Sequence, residues 1–164
     1  MAVWIFILAR RYDLARKLAE KEVDLEPNFP WGHFNLAQVY EQDGRAEDAA
    51  REFLRADELS GADPKELEKL KRAIAKDGAK GYWKRTVENY RESAKSGYVS
   101  SGVAAMACVR IGDKQCAFEW LDKGFEERDD LMINLKVEPV FDGLRADQRF
   151  QALVRRVGIP EGNR

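Results

Sequence analysis

The sequence predicts an all-α chain: a right-handed α-solenoid of antiparallel helix pairs, closed by a C-terminal capping helix. Three observations carry that expectation. Residues repeat with a period of 34: Gly44, Gly78 and Gly112 form one series, Phe6, Tyr40, Ile74 and Cys108 an apolar one, and Ala15, Ala49 and Ala117 lie on a series of small residues. A fixed period of this length marks stacked supersecondary units. Apolar residues also recur at i, i+3 and i+4, as in Leu36, Ala37 and Tyr40 or Ala49, Phe53 and Ala56, which gives each helix one apolar stripe. Finally, prolines stand at 27, 30, 64, 139 and 160, and none interrupts the long stretch between Pro64 and Pro139.

The first element is the apolar run Ala2 to Ala9, closed by Arg10-Arg11. It is far shorter than the about 20 residues that span a bilayer, and it lacks the basic leader and small-residue cleavage site of a secretory signal. It reads as a short buried helix opening a first pair, about residues 1–29, whose second helix carries Tyr12, Ala15 and Leu25 before Pro27.

The clearest pair is Pro30 to Asp63. Its first helix carries Leu36, Ala37 and Tyr40, the Gly44 turn follows, and its second helix carries Ala49, Phe53, Ala56 and Leu59. Small residues let the helices approach closely, while Tyr40 and Phe53 fill the space beyond them. A third pair, 64–97, keeps Leu70, Ile74 and Gly78 in register but places Trp83 where a small residue belongs. An indole does not fit a close helix contact, so this pair is either splayed or slipped in its second helix. The fourth pair, 98–130, carries Ala104, Ala105, Gly112, Ala117, Leu121 and Gly124. The segment 131–160 reads as the cap: a helical turn at Pro139 to Leu144, then an amphipathic helix from Asp147 to Val157 with Phe150, Leu153, Val154 and Val157 on one face, ended by Gly158 and Pro160. All 164 residues are read as one domain.

The residues Leu36, Ala37, Tyr40, Gly44, Ala49, Phe53, Ala56 and Leu59 resemble the tetratricopeptide repeat family. The resemblance extends with less detail over about 125 residues. The stretch with Gly97-Tyr98-Val99-Ser100, Gly112-Asp113-Lys114, Glu119-Trp120-Leu121, Phe141-Asp142 and Phe150 is similar to the repeat region of bacterial multidomain regulators, where such repeats follow a winged-helix, protein-kinase or β-propeller domain. The resemblance implies protein binding on a concave face lined by the first helix of each pair. The outward positions it assigns are Trp31, Phe34, Asn35 and Gln38 in the second pair, Lys65, Lys69, Arg72 and Lys76 in the third, and Met106 and Arg110 in the fourth. Asn35, Lys65 and Lys69 match three positions of the carboxylate clamp of chaperone-binding members, whose remaining positions fall on Trp4 or before the first residue.

Read from chemistry alone, aromatic rings beside amides suit an extended peptide. Lys65, Lys69, Arg72 and Lys76 fall at i, i+4, i+7 and i+11, one stripe of a helix. That stripe is either a solvated face or a groove for an acidic partner, with Glu66, Glu68 and Asp77 near enough to offset part of its field. Trp31 and Phe34 either face the groove or pack on the preceding pair.

Little points to catalysis. Charged residues are 35% of the chain, yet net charge is −1, which argues against direct nucleic-acid binding or a membrane surface. His33 is the one histidine, so most triads and histidine metal sites are excluded, and it is expected as a solvated or capping residue. Cys108 and Cys116 are expected as small apolar core residues rather than a disulfide framework, with a cytoplasmic location as the default. Glu126 to Asp130 reads as a solvated helix end. We therefore expect a scaffold without cofactors, metals or enzymatic activity. Self-association through the apolar N-terminal helix is the alternative role.

Overall fold

The computed structural model describes residues 2–159. Pro160, expected to end the last helix, lies outside the described residues. The described chain is helical, with no strand. Its α-helices are α1 (Ala2–Leu8), α2 (Tyr12–Leu25), α3 (Pro30–Gln42), α4 (Ala46–Leu59), α5 (Pro64–Ser93), α6 (Ser101–Arg110), α7 (Lys114–Glu127) and α8 (Gln148–Val157). Two 3-10 turns, Asp130–Asn134 and Pro139–Leu144, separate α7 from α8. The chain divides into two compact units, Met1–Arg85 and Thr86–Arg164, and the division falls inside the third expected pair.

In the first unit the helices pack in chain order. Pro30 opens α3, where its missing N–H costs nothing. The Gly44 turn has φ +72°, as the series of glycines predicts. Val3 and Ile7 of α1, Ala15 and Ala19 of α2, and Leu36 and Val39 of α3 bury one another. Ala37, Ala49, Ala50, Phe53, Leu70, Ala79 and Tyr82 form the next layer, and Tyr40 borders both. Phe53 is its hub, with Trp83 edge-on at 4.9 Å and Tyr82 stacked at 5.9 Å. Burying one such ring contributes about 1.5–3 kcal/mol. Leu25, 34 residues before Leu59, is exposed at the end of α2.

The third pair resolves the conflict raised by Trp83. α5 breaks at Gly78, where φ +60° and ψ −145° lie in a region open to glycine and costly for other residues. A Cβ there would also meet the Glu47 carboxylate at 2.5 Å. That carboxylate accepts the Ala79 N–H at 3.1 Å and so caps the second arm of α5. The arms before and after Gly78 then close on Gly81, whose added Cβ would lie 2.0 Å from the Ala73 carbonyl oxygen. The small residue falls five positions after the turn glycine at Ala49 and Ala117, but three positions after it at Gly81. The second arm has thus slipped by two residues, and Trp83 is released to pack on Phe53 and Tyr82. Arg85, buried, donates to Glu66 at 2.6 Å and ties the arms together farther from the bend.

His33 is a correction to the sequence reading. It is buried rather than solvated, with Nδ1 2.6 Å from Glu52 and Nε2 2.9 Å from the Pro27 carbonyl. It therefore pins the α2–α3 connection to α4.

In the second unit α6 packs on α7, and α7 on α8. Asp113 caps α7 by accepting the Cys116 N–H at 2.9 Å. Cys108 and Cys116 are disulfide-bonded to each other between α6 and α7, not free as expected. α8 matches its expected position: Asp147 caps it, Gly158 ends it in the left-handed region, and Phe150, Leu153 and Val154 are buried. The expected solvated acidic segment is also corrected, because Asp129 is buried. It accepts the Leu131 N–H at 2.9 Å, the Ser100 hydroxyl at 2.8 Å and the Gly102 N–H at 3.2 Å. Burial alone would raise its pKa, but these bonds, with a further one from the Ser101 amide, outweigh it and hold the carboxyl below the usual carboxylate range. Asp129 thus fastens the end of α7 to the start of α6, against a Gly102 that has no room for a side chain beside Leu131.

Two outcomes follow from this packing. Gly81→Ala should destabilise the first unit by about 2–3 kcal/mol, the cost of overpacking against backbone, as read by urea unfolding with tryptophan fluorescence. Asp129 has a lowered folded pKa, so its stabilisation is complete above the unfolded value near about 4 and is lost as pH falls through the folded value. Asp129→Asn should cost about 1–3 kcal/mol at neutral pH and flatten the acid limb of stability, as followed on α6 amide resonances in urea.

Candidate partner-binding surface

α3 presents its first-turn aromatics to solvent. Trp31 is 62% exposed and Phe34 37% exposed. They meet edge to face at 5.3 Å, and Phe34 in turn meets the buried Phe53 at 5.5 Å. The outer ring pair is therefore the visible end of an aromatic column that continues through Phe53 to Trp83 and Tyr82. Such a column holds the exposed rings in place, and a rigid aromatic surface loses little entropy on binding. Gln38, half-buried, follows on the same side of α3.

Asn35 differs from the expectation of an outward position. It is buried, and its amide donates to Glu22 of α2 at 2.7 Å. It ties the first pair to the second, and no clamp of Asn35 with Lys65 and Lys69 is built from its side chain. The apolar neighbours Leu36 and Val39 contain no signal for this, because the partner lies 13 residues away on another helix.

The first arm of α5 carries the basic stripe. Leu70 and Ile74 face the core, and Lys65, Lys69, Arg72 and Lys76 are exposed on the other side. Pro64, Lys65, Glu68, Lys69 and Arg72 line an open groove of about 470 Å³. The cations are not equivalent. Lys69 donates to Glu66 at 2.6 Å, and this bond, followed by the one from Arg85, holds the Glu66 carboxyl below its ordinary range. Asp77 is engaged by Lys84 at 2.9 Å. Lys71, off the stripe, pairs with Glu58 of α4 at 3.0 Å. Within the described residues Lys65, Arg72 and Lys76 have no ion-pair partner. The sequence signal for charge was right about proximity but did not separate the neutralised Lys69 from its neighbours, which depends on a rotamer.

Met106 and Arg110 lie on α6 in the second unit, both half-buried. Among the described residues, no group of three or more histidine, cysteine or acidic side chains is placed to hold a metal ion. No described helix is long and apolar enough to cross a membrane. No protein-family model, no curated protein and no solved structure matches this chain.

Proposed function

We propose that this chain is a non-catalytic polypeptide-binding scaffold, a tetratricopeptide-type superhelix that serves as a docking or regulatory module. The proposed binding face comprises Trp31, Phe34 and Gln38 of α3 with the cationic side of α5. The observation that carries this reading is the exposed Trp31–Phe34 pair, anchored on the buried Phe53. A large exposed aromatic held rigidly has no folding role that requires exposure, and aromatic anchors dominate polypeptide recognition. The periodic helix pairs and their small-residue contacts support the repeat assignment, and similarity of the C-terminal segment to bacterial multidomain regulators supports a regulatory setting.

The test is a displayed random-peptide library selected on the full chain. The proposal expects enriched peptides whose binding falls at least about tenfold in Trp31→Ala, the loss typical of a hot-spot aromatic. Trp31→Ala should leave the melting curve nearly unchanged, because the residue is largely exposed. Enriched peptides indifferent to Trp31→Ala would place the binding face elsewhere, and a selection that enriches nothing would contradict the scaffold reading.

A second reading, self-association through α1, is favoured by one observation: Ile5 is 56% exposed on a helix that is apolar throughout. A strict monomer in light scattering at high concentration removes it.

A further inference from the structure

We infer that Gly78 is a hinge through which two copies of this chain exchange the second arm of α5. Each α5 straightens into one continuous helix, and its second arm docks on the first arm and α4 of the other copy. The partner is thus a second copy of this chain, whatever the Trp31–Phe34 face binds.

The connection between the arms is unusually short. The hairpins α1–α2, α3–α4 and α6–α7 are joined by residues 9–11, 43–45 and 111–113, three residues each. The two arms of α5 are joined by Gly78 alone, at φ +60° and ψ −145°. A connection this short invites exchange between copies, because the hinge opens while the docked contacts are remade in the other chain. Breaking the helix also leaves N–H groups at the start of the second arm without partners inside the helix. Glu47 replaces one of those bonds by accepting the Ala79 N–H. In a straight α5 that N–H bonds to the Ala75 carbonyl four residues back, and Glu47 is released. After Pro64, α5 holds no proline and only two glycines, Gly78 and Gly81, so its sequence supports the continuous helix.

The contacts that dock the second arm do not depend on the chain being continuous at Gly78. Gly81 lies against Ala73, Tyr82 donates its hydroxyl to Asp57 at 2.8 Å, Trp83 packs on Phe53 at 4.9 Å, and Arg85 donates to Glu66 at 2.6 Å. Each joins the second arm to the first arm or to α4, so each forms equally well between two chains. The pairings also permit a symmetric exchange. Gly81 with Ala73 and Arg85 with Glu66 are both centred close to Gly78 in the chain, as antiparallel arms require. Two straight copies of α5 laid antiparallel keep both pairings about a two-fold axis near Gly78. Such an exchange is closed: neither second arm is left undocked, and assembly stops at two.

The experiment compares the wild-type chain with Gly78→Ala, each refolded from urea at low and at high protein concentration and sized by light scattering. Alanine disfavours the bend twice, through its positive φ and through the Glu47 carboxylate 2.5 Å from its Cβ, and it favours the straight helix. Exchange predicts a dimer whose fraction grows with the refolding concentration, and a balance shifted toward dimer by about tenfold or more in Gly78→Ala. Dimer refolded from mixed isotope-labelled and unlabelled copies should show the Gly81–Ala73 contact between chains. Ile5→Lys should leave the dimer unchanged, whereas association through α1 would be lost. If Gly78→Ala is unfolded when dilute, raising its concentration should fold it, because its folding then requires a second copy. A Gly78→Ala chain that folds as a strict monomer, or that stays unfolded at every concentration, overturns the inference. A dimer that keeps the Gly81–Ala73 contact within one chain, or that Ile5→Lys abolishes, overturns it as well.

Discussion

The fold of the first unit depends on one close approach, that of Gly81 to the backbone at Ala73. A helix of 30 residues starting at Pro64 has no internal proline to stop it. The break comes from Gly78, which adopts a conformation that other residues avoid, and from Glu47, which caps the new start at Ala79. The bend alone does not determine the direction of the second arm. The missing side chain at Gly81 lets the arms touch, and the Glu66–Arg85 pair secures them farther from the bend. Tyr82 and Trp83 are thereby delivered to Phe53, and the aromatic layer closes.

The exposed surfaces are consequences of that closure. The first arm of α5 is occupied on its core side by Leu70 and Ile74, and toward the second arm by Ala73 and Glu66. Only one side remains for solvent, and it holds Lys65, Lys69, Arg72 and Lys76. Phe53 likewise supports Phe34, which supports Trp31. Aromatic and cationic faces therefore share one mechanical origin in the Phe53 layer, although they are carried by different helices. The second unit adds a different device: a buried carboxylate, Asp129, bonds the start of α6 to the end of α7 beside their apolar contacts.

Much of this was legible in the sequence because it obeys local rules. The stripes of α3 and α4, the turns at Gly44 and Gly112, and the boundaries of α8 between Asp147 and Gly158 all follow from spacing and capping chemistry. What was not legible depends on pairs distant in the chain. His33 finds Glu52, Asn35 finds Glu22, and Asp129 finds Ser100 and Gly102. From the sequence His33 reads as a solvated or capping residue, Asn35 as an outward repeat position and Asp129 as part of a solvated helix end, because none of the partners is a chain neighbour. Trp83 reads as a misfit from its spacing, but the remedy two residues earlier does not, since Gly81 marks a close contact only where Ala73 faces it. Of the candidate surface, Trp31, Phe34 and the basic stripe are exposed, whereas Asn35 is committed to the fold.

The bend at Gly78 is the claim on which both the register of the arms and the exposure of the stripe rest. It is tested most directly by nuclear Overhauser contacts in the full chain with labelled glycine and alanine. The account predicts a strong contact between the Gly81 α-protons and Ala73, together with contacts from Trp83 to Phe53. In a continuous helix residues eight apart are separated by about 12 Å, so unbroken sequential helical contacts through Gly78 without the Gly81–Ala73 contact would contradict it.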